Sequence, residues 1–419
     1  MPLDPTTSAP SAGRTEGRPL KILIAAETYP PNINGAAQFC YRLAKGMTAR
    51  GHEVRVVTPR ASSGPPTIEH RPEASVYSVR SHAAVTFPDF RISMWWDAKR
   101  GVEALLDEFQ PDVVHSQSQY FVCEMAVREA RKRGIRVVTT NHTMPENLYP
   151  HFPFPQWLKE VSGWILWRHA QWILGKADVL TVPTPLAAET HERLTALRGI
   201  LPVSNGIETA DYAARPGDAA PHTGPREVLF TGRLAGEKNI DQLIAAFEAL
   251  EHQDCRLVIA GTGELEEQLH ARAAESPAAD RIEFLGYVSE EELRKAYRRA
   301  AVFVMPGTAE LQSLATLEAM SASTPILAAN AMALPHLVDE GRNGHLFEPG
   351  SAEDLRVKLD GLLALSDEEL DVMGARSLEM AGEHALKATL DTFEALYRGA
   401  EVAVDGTGFA SLRSAPSGE

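Results

Sequence analysis

Residues 303–329 read FVMPGTAELQSLATLEAMSASTPILAA. The pattern predicts the end of a buried strand, a loop with Glu310, a helix with Glu318, and a second apolar strand from Pro325. In open α/β sheets, ligands bind beyond the carboxyl ends of the strands, where helix N-termini present unpaired N–H groups to phosphates. Ionised carboxylates nearby accept hydrogen bonds from sugar hydroxyls. The stretch favours a nucleotide-sugar site, although two solvated glutamates are the commoner explanation of this spacing taken alone.

The composition is that of an ordinary globular protein with two or three domains: 419 residues, 44% hydrophobic and 23% charged. Lys and Arg total 41 against 56 Asp and Glu, and the net charge of −15 disfavours general binding to nucleic acid or to anionic membrane. Cys40, Cys123 and Cys255 lie far apart and match no metal-binding spacing. We interpret them as core thiols in a reducing compartment.

Neither end of the chain has the pattern of a folded or targeting element. Residues 1–18, rich in Pro, Ser, Thr and Gly, lack the apolar segment of a secretory signal, and we expect a disordered leader there. Residues 401–419 are predicted to form a disordered tail. Because no run of about 18 apolar residues is present to span a bilayer, the sequence predicts a cytoplasmic protein.

Strands and helices alternate along the whole chain, which is typical of parallel, doubly wound sheets. A first series begins with strand 21–26, helix 36–50 and strand 53–58, and a second begins at strand 227–231. The Ala-, Pro- and Gly-rich segment 212–225 separates them. We therefore predict an α/β protein of two Rossmann-like domains that face each other across a cleft, residues 19–203 and 204–385. A final helix, 386–400, crosses back to the first domain.

Several segments resemble the retaining nucleotide-sugar glycosyltransferases of the GT-B fold, specifically family 4. The likeness covers about residues 20–360, and the order and spacing of the motifs together are specific. The motifs are the Pro-Pro-x-x-x-Gly loop ending at Gly35, the strand from Gly51, Asn205-Gly206-Ile207, Thr231–Lys238, Ala260–Glu264, Phe284–Val288, and the two glutamates before Ala319-Met320.

Arg233 and Lys238 follow the first strand of the second series. Two cations beside one diphosphate neutralise its charge and stabilise it as a leaving group, which removes the need for a metal ion. The resemblance implies that this pair binds the donor pyrophosphate, although loop cations are more often solvated. We expect no metal and no cofactor, since the nucleotide sugar is a substrate.

The resemblance implies that the two glutamates contact different parts of the donor. It implies that Glu318 holds the ribose hydroxyls and that Glu310 contacts the hydroxyls of the donor sugar. Where the family most often has Phe-Gly, this chain has Gln312-Ser313-Leu314. We expect Ser313 to cap the following helix, whose first N–H groups then meet the β-phosphate.

Other candidate residues lie at predicted strand ends. Gly35 lies in the loop after the first strand, where a residue without Cβ lets backbone N–H groups approach a phosphate; a turn glycine is the alternative. Gly261 follows strand 256–260 and is expected to form a tight turn that shapes the cleft edge. The resemblance places Asn205, Gly206, Tyr287 and Val288 at the donor, the last two near the nucleobase. His142 follows strand 137–140 and matches the family histidine near the reacting sugar carbon, whereas a lone histidine is more often structural.

All six tryptophans fall between Trp95 and Trp172, beside several Arg and Lys residues. Such a mixture suits a membrane surface or a glycan groove. Core packing of Trp164, Trp167 and Trp172 is the favoured alternative. The first domain is therefore the expected site of a glycan, lipid or small-molecule acceptor, with or without peripheral membrane contact.

The sequence thus predicts a metal-independent, retaining glycosyltransferase that uses a UDP- or GDP-sugar, with His142, Arg233, Lys238 and Glu310 as its catalytic residues. Two alternatives stay open. One is a sugar-nucleotide epimerase of the same fold, and the other is a catalytically silent sugar-nucleotide-binding protein.

Overall fold

The computed structural model describes residues 17–32, 34–83, 91–143, 156–213 and 224–412. The leader up to residue 16, the aromatic segments 87–90 and 152–154, most of the predicted interdomain segment, and residues 413–419 lie outside the described residues.

Two successive sets of alternating strands and helices make up the described chain. The first half contains β1 (Lys21–Ala25), α1 (Gly35–Ala49), β2 (Glu53–Pro59), β3 (Thr67–His70), β4 (Ser75–Val79), β5 (His82–Ala83), β6 (Arg91–Ile92), α2 (Trp95–Phe109), β7 (Val113–Ser116), α3 (Phe121–Lys132), β8 (Arg136–Thr140), α4 (Gln156–Leu174), β9 (Val179–Val182), α5 (Pro185–Leu194) and β10 (Leu201–Pro202). The second half contains β11 (Arg226–Thr231), α6 (Ile240–Glu248), β12 (Cys255–Ala260), α7 (Glu266–Ala274), β13 (Ile282–Gly286), α8 (Glu290–Arg299), β14 (Ala300–Met305), α9 (Leu314–Ser321), β15 (Ile326–Ala329), β16 (Gly344–Phe347), α10 (Ala352–Leu363), α11 (Asp367–Gly382), α12 (Leu386–Tyr397), β17 (Val402–Val404) and β18 (Ala410–Leu412).

The strands form two large sheets, one in each half. The first has the order β10-β9-β8-β7-β1-β2-β4-β3, parallel except for β3, and the second has the order β13-β12-β11-β14-β15-β16, parallel throughout. In the first sheet, the strands that follow β1 are added on one side of it and those from β7 onward on the other, so the strand order changes direction between β1 and β7. The same change occurs between β11 and β14 in the second sheet. Crevices that bind ligands open at such switch points, at the carboxyl ends of the strands. The predicted fold of two Rossmann-like domains is confirmed.

Both sheets are covered by helices on both faces, and this explains their composition. All six residues of β14 are buried, as are Ile22–Ala25 of β1, because a parallel strand between two helical layers exposes neither face. Fully burying a side chain such as Phe303 contributes roughly 1.5–3 kcal/mol. The three cysteines are buried free thiols, as predicted.

Helix α12 returns to the first domain. Leu390, Phe393 and Leu396 belong to the same buried cluster as Phe39 of α1. Arg50, at the end of α1, donates to Asp391 at 2.7 Å and to Glu394 at 3.0 Å. The predicted crossover helix is thus part of the first-domain core.

The predicted disordered tail is wrong for residues 402–412. Strands β17 and β18 pair as an antiparallel hairpin, and Ala410 is buried in the first-domain cluster. The turn is closed by the Asp405 side chain, which accepts from the backbone N–H of Thr407 at 2.8 Å. The segment has few large apolar residues, but α12 supplies the apolar surface that it needs.

Helix α2 begins at Trp95 and has no side-chain N-cap. No helix among the described residues is long and apolar enough to cross a membrane. The described chain also has no group of three or more His, Cys, Asp or Glu residues placed to hold a metal ion.

Candidate functional site

The candidate site lies where the carboxyl ends of the two sheets face each other. Helix α9 starts directly after β14 and the loop with Glu310. Ser313 is its N-cap, as predicted: its Oγ accepts from the backbone N–H of Thr316. The first N–H groups of any helix have no partner within the helix. The start of α9 therefore offers N–H donors and the positive end of a helix dipole to an anion.

Glu318 lies on α9 and is held from both domains. Its Oε1 accepts from Nη2 of Arg42 on α1 at 2.9 Å, and its Oε2 accepts from the hydroxyl of Tyr297 on α8 at 3.0 Å. The Arg42 and Glu318 side chains are 16% and 14% exposed. Since an ionised carboxylate has about four acceptor positions, Glu318 retains capacity for further hydroxyl donors.

Lys238 and Glu310 form an ion pair between the ammonium Nζ and the carboxylate Oε1. Lys238 ends a short 3₁₀ helix after β11, and Glu310 lies in the loop before α9. Both side chains are mostly buried. The pair places one cation and one carboxylate beside the N-terminus of α9, on the switch-point side of the second sheet.

Arg233 is less engaged than Lys238. Its Nη2 donates to Glu237 at 2.6 Å, and the side chain is 47% exposed. The two predicted pyrophosphate ligands therefore differ in environment. Lys238 is mostly buried against Glu310, whereas Arg233 is half-exposed and pairs with Glu237, four residues further along the chain.

Gln312 ties the α9 loop to the segment that joins the domains. Its Oε1 accepts from the N–H of Asn205 at 2.8 Å, and its Nε2 donates to Oγ of Ser204 at 2.9 Å. Gly206 has a positive φ of 74° and packs against Leu386 at the start of α12. Asn205 and Gly206 thus lie at the domain connection, in contact with the candidate site through Gln312.

Gly261 is shaped by backbone contact. Its φ is +138°, and a Cβ there would lie 1.8 Å from the carbonyl oxygen of Gly232. Only glycine fits, so the loops after β11 and β12 approach closely at the cleft edge. Gly35, the first residue of α1, is different, because a Cβ there would lie 3.7 Å from Leu314 in ordinary contact. A larger residue would therefore fit at position 35 without a clash inside the protein.

Tyr287 and Val288 follow β13 at the far side of the second sheet. Tyr287 is 72% exposed and Val288 is half-buried. They lie at the carboxyl edge with the other candidates.

His142 faces the site from the end of β8. Its Nε2 is 2.8 Å from Oε1 of Gln117, and its ring centroid is 4.9 Å from that of Phe39. Burial lowers the pKa of His142 to about 3. The imidazole is therefore neutral at pH 7, with one ring nitrogen able to donate a hydrogen bond and the other able to accept one.

The segments after β1 and β7 also carry buried polar atoms that have no hydrogen-bond partner among the residues that the structure describes. They are Oε2 of Glu27, Nε2 of Gln117 and both amide atoms of Gln119. Burial raises the pKa of Glu27 to about 7, while its Oε1 accepts from the N–H of Cys123 at 3.0 Å. Buried polar groups are normally satisfied, so these atoms are exceptions in the described part of the first domain.

Sequence reasoning missed Arg42, Tyr297, Glu27 and Gln117. Glu27 and Gln117 follow β1 and β7 directly, so the carboxyl-end rule that selected His142 also applies to them. Arg42 and Tyr297 lie inside helices, and no local signal marks them.

The family model Glycosyltransferase Family 4 matches residues 33–211, and Glycosyl transferases group 1 matches residues 216–379. Glycogen synthase of Mycobacterium tuberculosis is 28% identical over 376 residues, which cover 82% of this chain and 86% of that protein. A sulfoquinovosyl transferase of Arabidopsis thaliana is 26% identical, covering 83% and 67% of the two chains. The structure of sucrose-phosphate synthase from Thermosynechococcus elongatus superimposes with a TM-score of 0.78 at 19% identity, covering 91% and 98%.

Proposed function

We propose that this chain, which belongs to the family 4 glycosyltransferases of the GT-B fold, transfers a sugar from a UDP- or GDP-sugar to an acceptor hydroxyl, retaining the anomeric configuration and using no metal ion. The acceptor is a glycan, a lipid or a small molecule. The observation that carries the proposal is the convergence of Lys238, Glu310 and the N-terminus of α9 at one switch point, with Glu318 one helix turn away.

Each group has a role in this reaction. The N-terminus of α9 and Lys238 bind the diphosphate and stabilise the charge that develops on it as the bond from the sugar carbon to oxygen breaks. Glu318 accepts hydrogen bonds from the ribose, and Glu310 from the sugar. Arg233, Gly35, Gly261, Tyr287 and Val288 line the donor as the resemblance implies.

The acceptor attacks from the first-domain side, where His142, Gln117 and Glu27 lie. The acceptor oxygen bonds to the sugar carbon while its proton passes to the departing phosphate oxygen on the same face. Positioning and charge stabilisation supply the acceleration. A closed cleft excludes the water that would otherwise hydrolyse the donor.

A donor screen tests the proposal. The protein is incubated with UDP- and GDP-sugars and a mixed acceptor panel, and nucleoside diphosphate release and glycosylated products are followed by mass spectrometry. We expect release with one donor class, unchanged by EDTA, and NMR of the product should show the donor's anomeric configuration. Conversion of a sugar nucleotide to its epimer without an acceptor would identify the epimerase instead. Binding without turnover of any donor would identify a sugar-nucleotide-binding protein.

A further inference from the structure

Helix α4 exposes large apolar side chains on its outer side. Val161, Trp164, Ile165 and Trp172 are 50%, 63%, 54% and 50% exposed, and Arg168 lies among them. Their spacing of three, four, seven and eleven residues places them on one side of a helix. We call these five residues the α4 outer face.

The opposite side of α4 packs against the core of the first domain. Trp167, Ala170 and Leu174 are buried in one cluster with Val182 of β9, and Ile173 is buried in the neighbouring cluster. Of the predicted stripe of tryptophans, only Trp167 is therefore core. Surface helices normally present polar residues to solvent, and the α4 outer face reverses this pattern.

The exposed aromatic surface continues onto the neighbouring helices. The ring of Trp172 lies between the guanidinium of Arg128 on α3, 5.4 Å away, and the ammonium of Lys176, 4.6 Å away. Trp95 on α2 and Phe121 on α3 line a shallow depression that also includes Arg128, and they are 62% and 38% exposed. The exposed apolar surface thus extends over three helices.

The charge of this surface is opposite to that of the chain. Residues 161–176 contain Arg168 and Lys176 and no Asp or Glu, although the whole chain has a net charge of −15. The carboxylates that approach from α3 are paired: Glu124 lies 3.0 Å from Arg128 and 3.3 Å from His169, and Glu129 is buried between two cations of its own helix. The surface is therefore locally cationic.

From this combination we propose that the α4 outer face docks the protein on an anionic lipid bilayer as a peripheral contact. Tryptophan prefers the headgroup level of a bilayer, where its ring is in an apolar layer and its N–H stays hydrated. Arg168 and Lys176 are placed to meet lipid phosphates while their stems lie along the rings of Trp164 and Trp172. A helix of nineteen residues, about 28 Å long, lies along the surface and does not enter it end-on.

Vesicle flotation with the full chain tests this proposal. We expect binding to vesicles of phosphatidylcholine mixed with phosphatidylglycerol, at least about tenfold weaker binding to phosphatidylcholine alone, and loss of binding at high salt. The W164S/I165S/W172S variant should bind anionic vesicles at least about tenfold more weakly. The matched control is V357S/V372S, which removes two exposed valines from the second domain and should bind as wild type does.

Two further measurements separate the outcomes. R168Q/K176Q should reduce the preference for anionic vesicles about tenfold. Because this variant keeps every apolar residue of the surface, it still tests the proposal if the triple variant does not fold. Brominated lipids should quench the tryptophan fluorescence of the wild type. Equal binding of wild type and the triple variant, or no binding to anionic vesicles, would overturn the proposal. A wild-type dimer that the triple variant dissociates, measured by light scattering without lipid, would make the surface an interface between copies of the chain instead.

Discussion

The guanidinium of Arg42, on the first helix of the first domain, lies 2.9 Å from the carboxylate of Glu318 on α9 of the second domain. A second bond, from Arg42 Nη1 to the carbonyl oxygen of Gly206 at 3.4 Å, reaches the connection between the domains. The carboxylate that we assign to the ribose is thus oriented by the opposite domain. If Glu318 holds the ribose as we propose, we expect nucleotide binding and the relative position of the two domains to be coupled through Arg42.

Replacing Arg42 with methionine should weaken nucleotide binding and lower stability. Removing one partner of a buried ion pair costs roughly 3–5 kcal/mol, and somewhat less at this partly exposed site. We expect the Kd for UDP or GDP, measured by calorimetry, to rise about tenfold or more, with a lower melting temperature. The control R342M removes an arginine whose partner is Asp339 and which is 67% exposed, so it should cost no more than about 1 kcal/mol. Wild-type nucleotide affinity in R42M would contradict the coupling.

Changing Lys238 to alanine should lower kcat far more than it weakens donor binding. The ammonium is the mostly buried cation beside α9, and its charge interaction strengthens as negative charge develops on the leaving diphosphate. By analogy with loss of one oxyanion donor, the expected decrease is about 100- to 1,000-fold. Steady-state kinetics with the donor identified by the screen measures it.

Lys295 provides the control for that experiment. Within the described part of the chain, its ion pairs are with glutamates of its own helix α8, and it is 42% exposed, so K295A should keep wild-type rates. Near-wild-type turnover by K238A would remove Lys238 from the site.

The strands and loops of the second domain were predictable because each depends on local sequence. The buried run of β14 and the N-cap at Ser313 require only neighbouring residues, and both are confirmed. The Arg42–Glu318 pair joins residues 276 positions apart, so it depends on how the domains meet. A helical arginine gives no local signal of such a partner.

The tryptophans show a second limit of the sequence. Trp164, Trp167 and Trp172 each have one aliphatic residue beside them in the sequence, so the sequence does not distinguish them. Trp167 is the buried one because it packs in a cluster with Val182 of β9. The hairpin of residues 402–412 was missed for the related reason that its apolar partner is the helix α12 beneath it. In each case the deciding contact is tertiary.

Gln312, which departs from the family pattern, should be required for the stability of the domain connection. In Q312A the buried N–H of Asn205 loses its partner, and an unsatisfied buried group costs about 1–3 kcal/mol. Oγ of Ser204 loses the Gln312 donor but keeps the N–H of Gly206 at 3.2 Å and Nδ1 of His384 at 3.0 Å. We expect a lower urea midpoint and a larger KM for the donor. An unchanged midpoint in Q312A would show that these bonds contribute nothing.

Gly261 should not tolerate even alanine. The added Cβ would overlap the carbonyl oxygen of Gly232 at 1.8 Å, and φ of +138° is strained for any residue with a Cβ. We expect G261A to lower the melting temperature or to be recovered only as insoluble protein. Gly236 has open space around its Cβ position and no positive φ, so G236A is the control and should melt as wild type does. A soluble G261A protein with the wild-type melting temperature would contradict the close loop contact.

Two histidines of the first domain should make stability fall in acid. Burial lowers the pKa of both His115 and His142 to about 3, so between about pH 6.5 and pH 3 the unfolded chain binds protons that the native protein does not. Above pH 6.5 both states are neutral at these positions and the effect vanishes. Replacing His142 by glutamine should therefore make the free energy of unfolding decrease less between pH 8 and pH 5 than it does in the wild type.

His169 is the opposite case, because its bond to Glu124 raises its pKa and stabilises the protonated form. H169Q should lose stability relative to wild type at pH 5 and not at pH 8, and urea titrations at the two pH values distinguish the signs. Parallel pH profiles for H142Q and wild type would mean that His142 takes up its proton in the native state as readily as in the unfolded one.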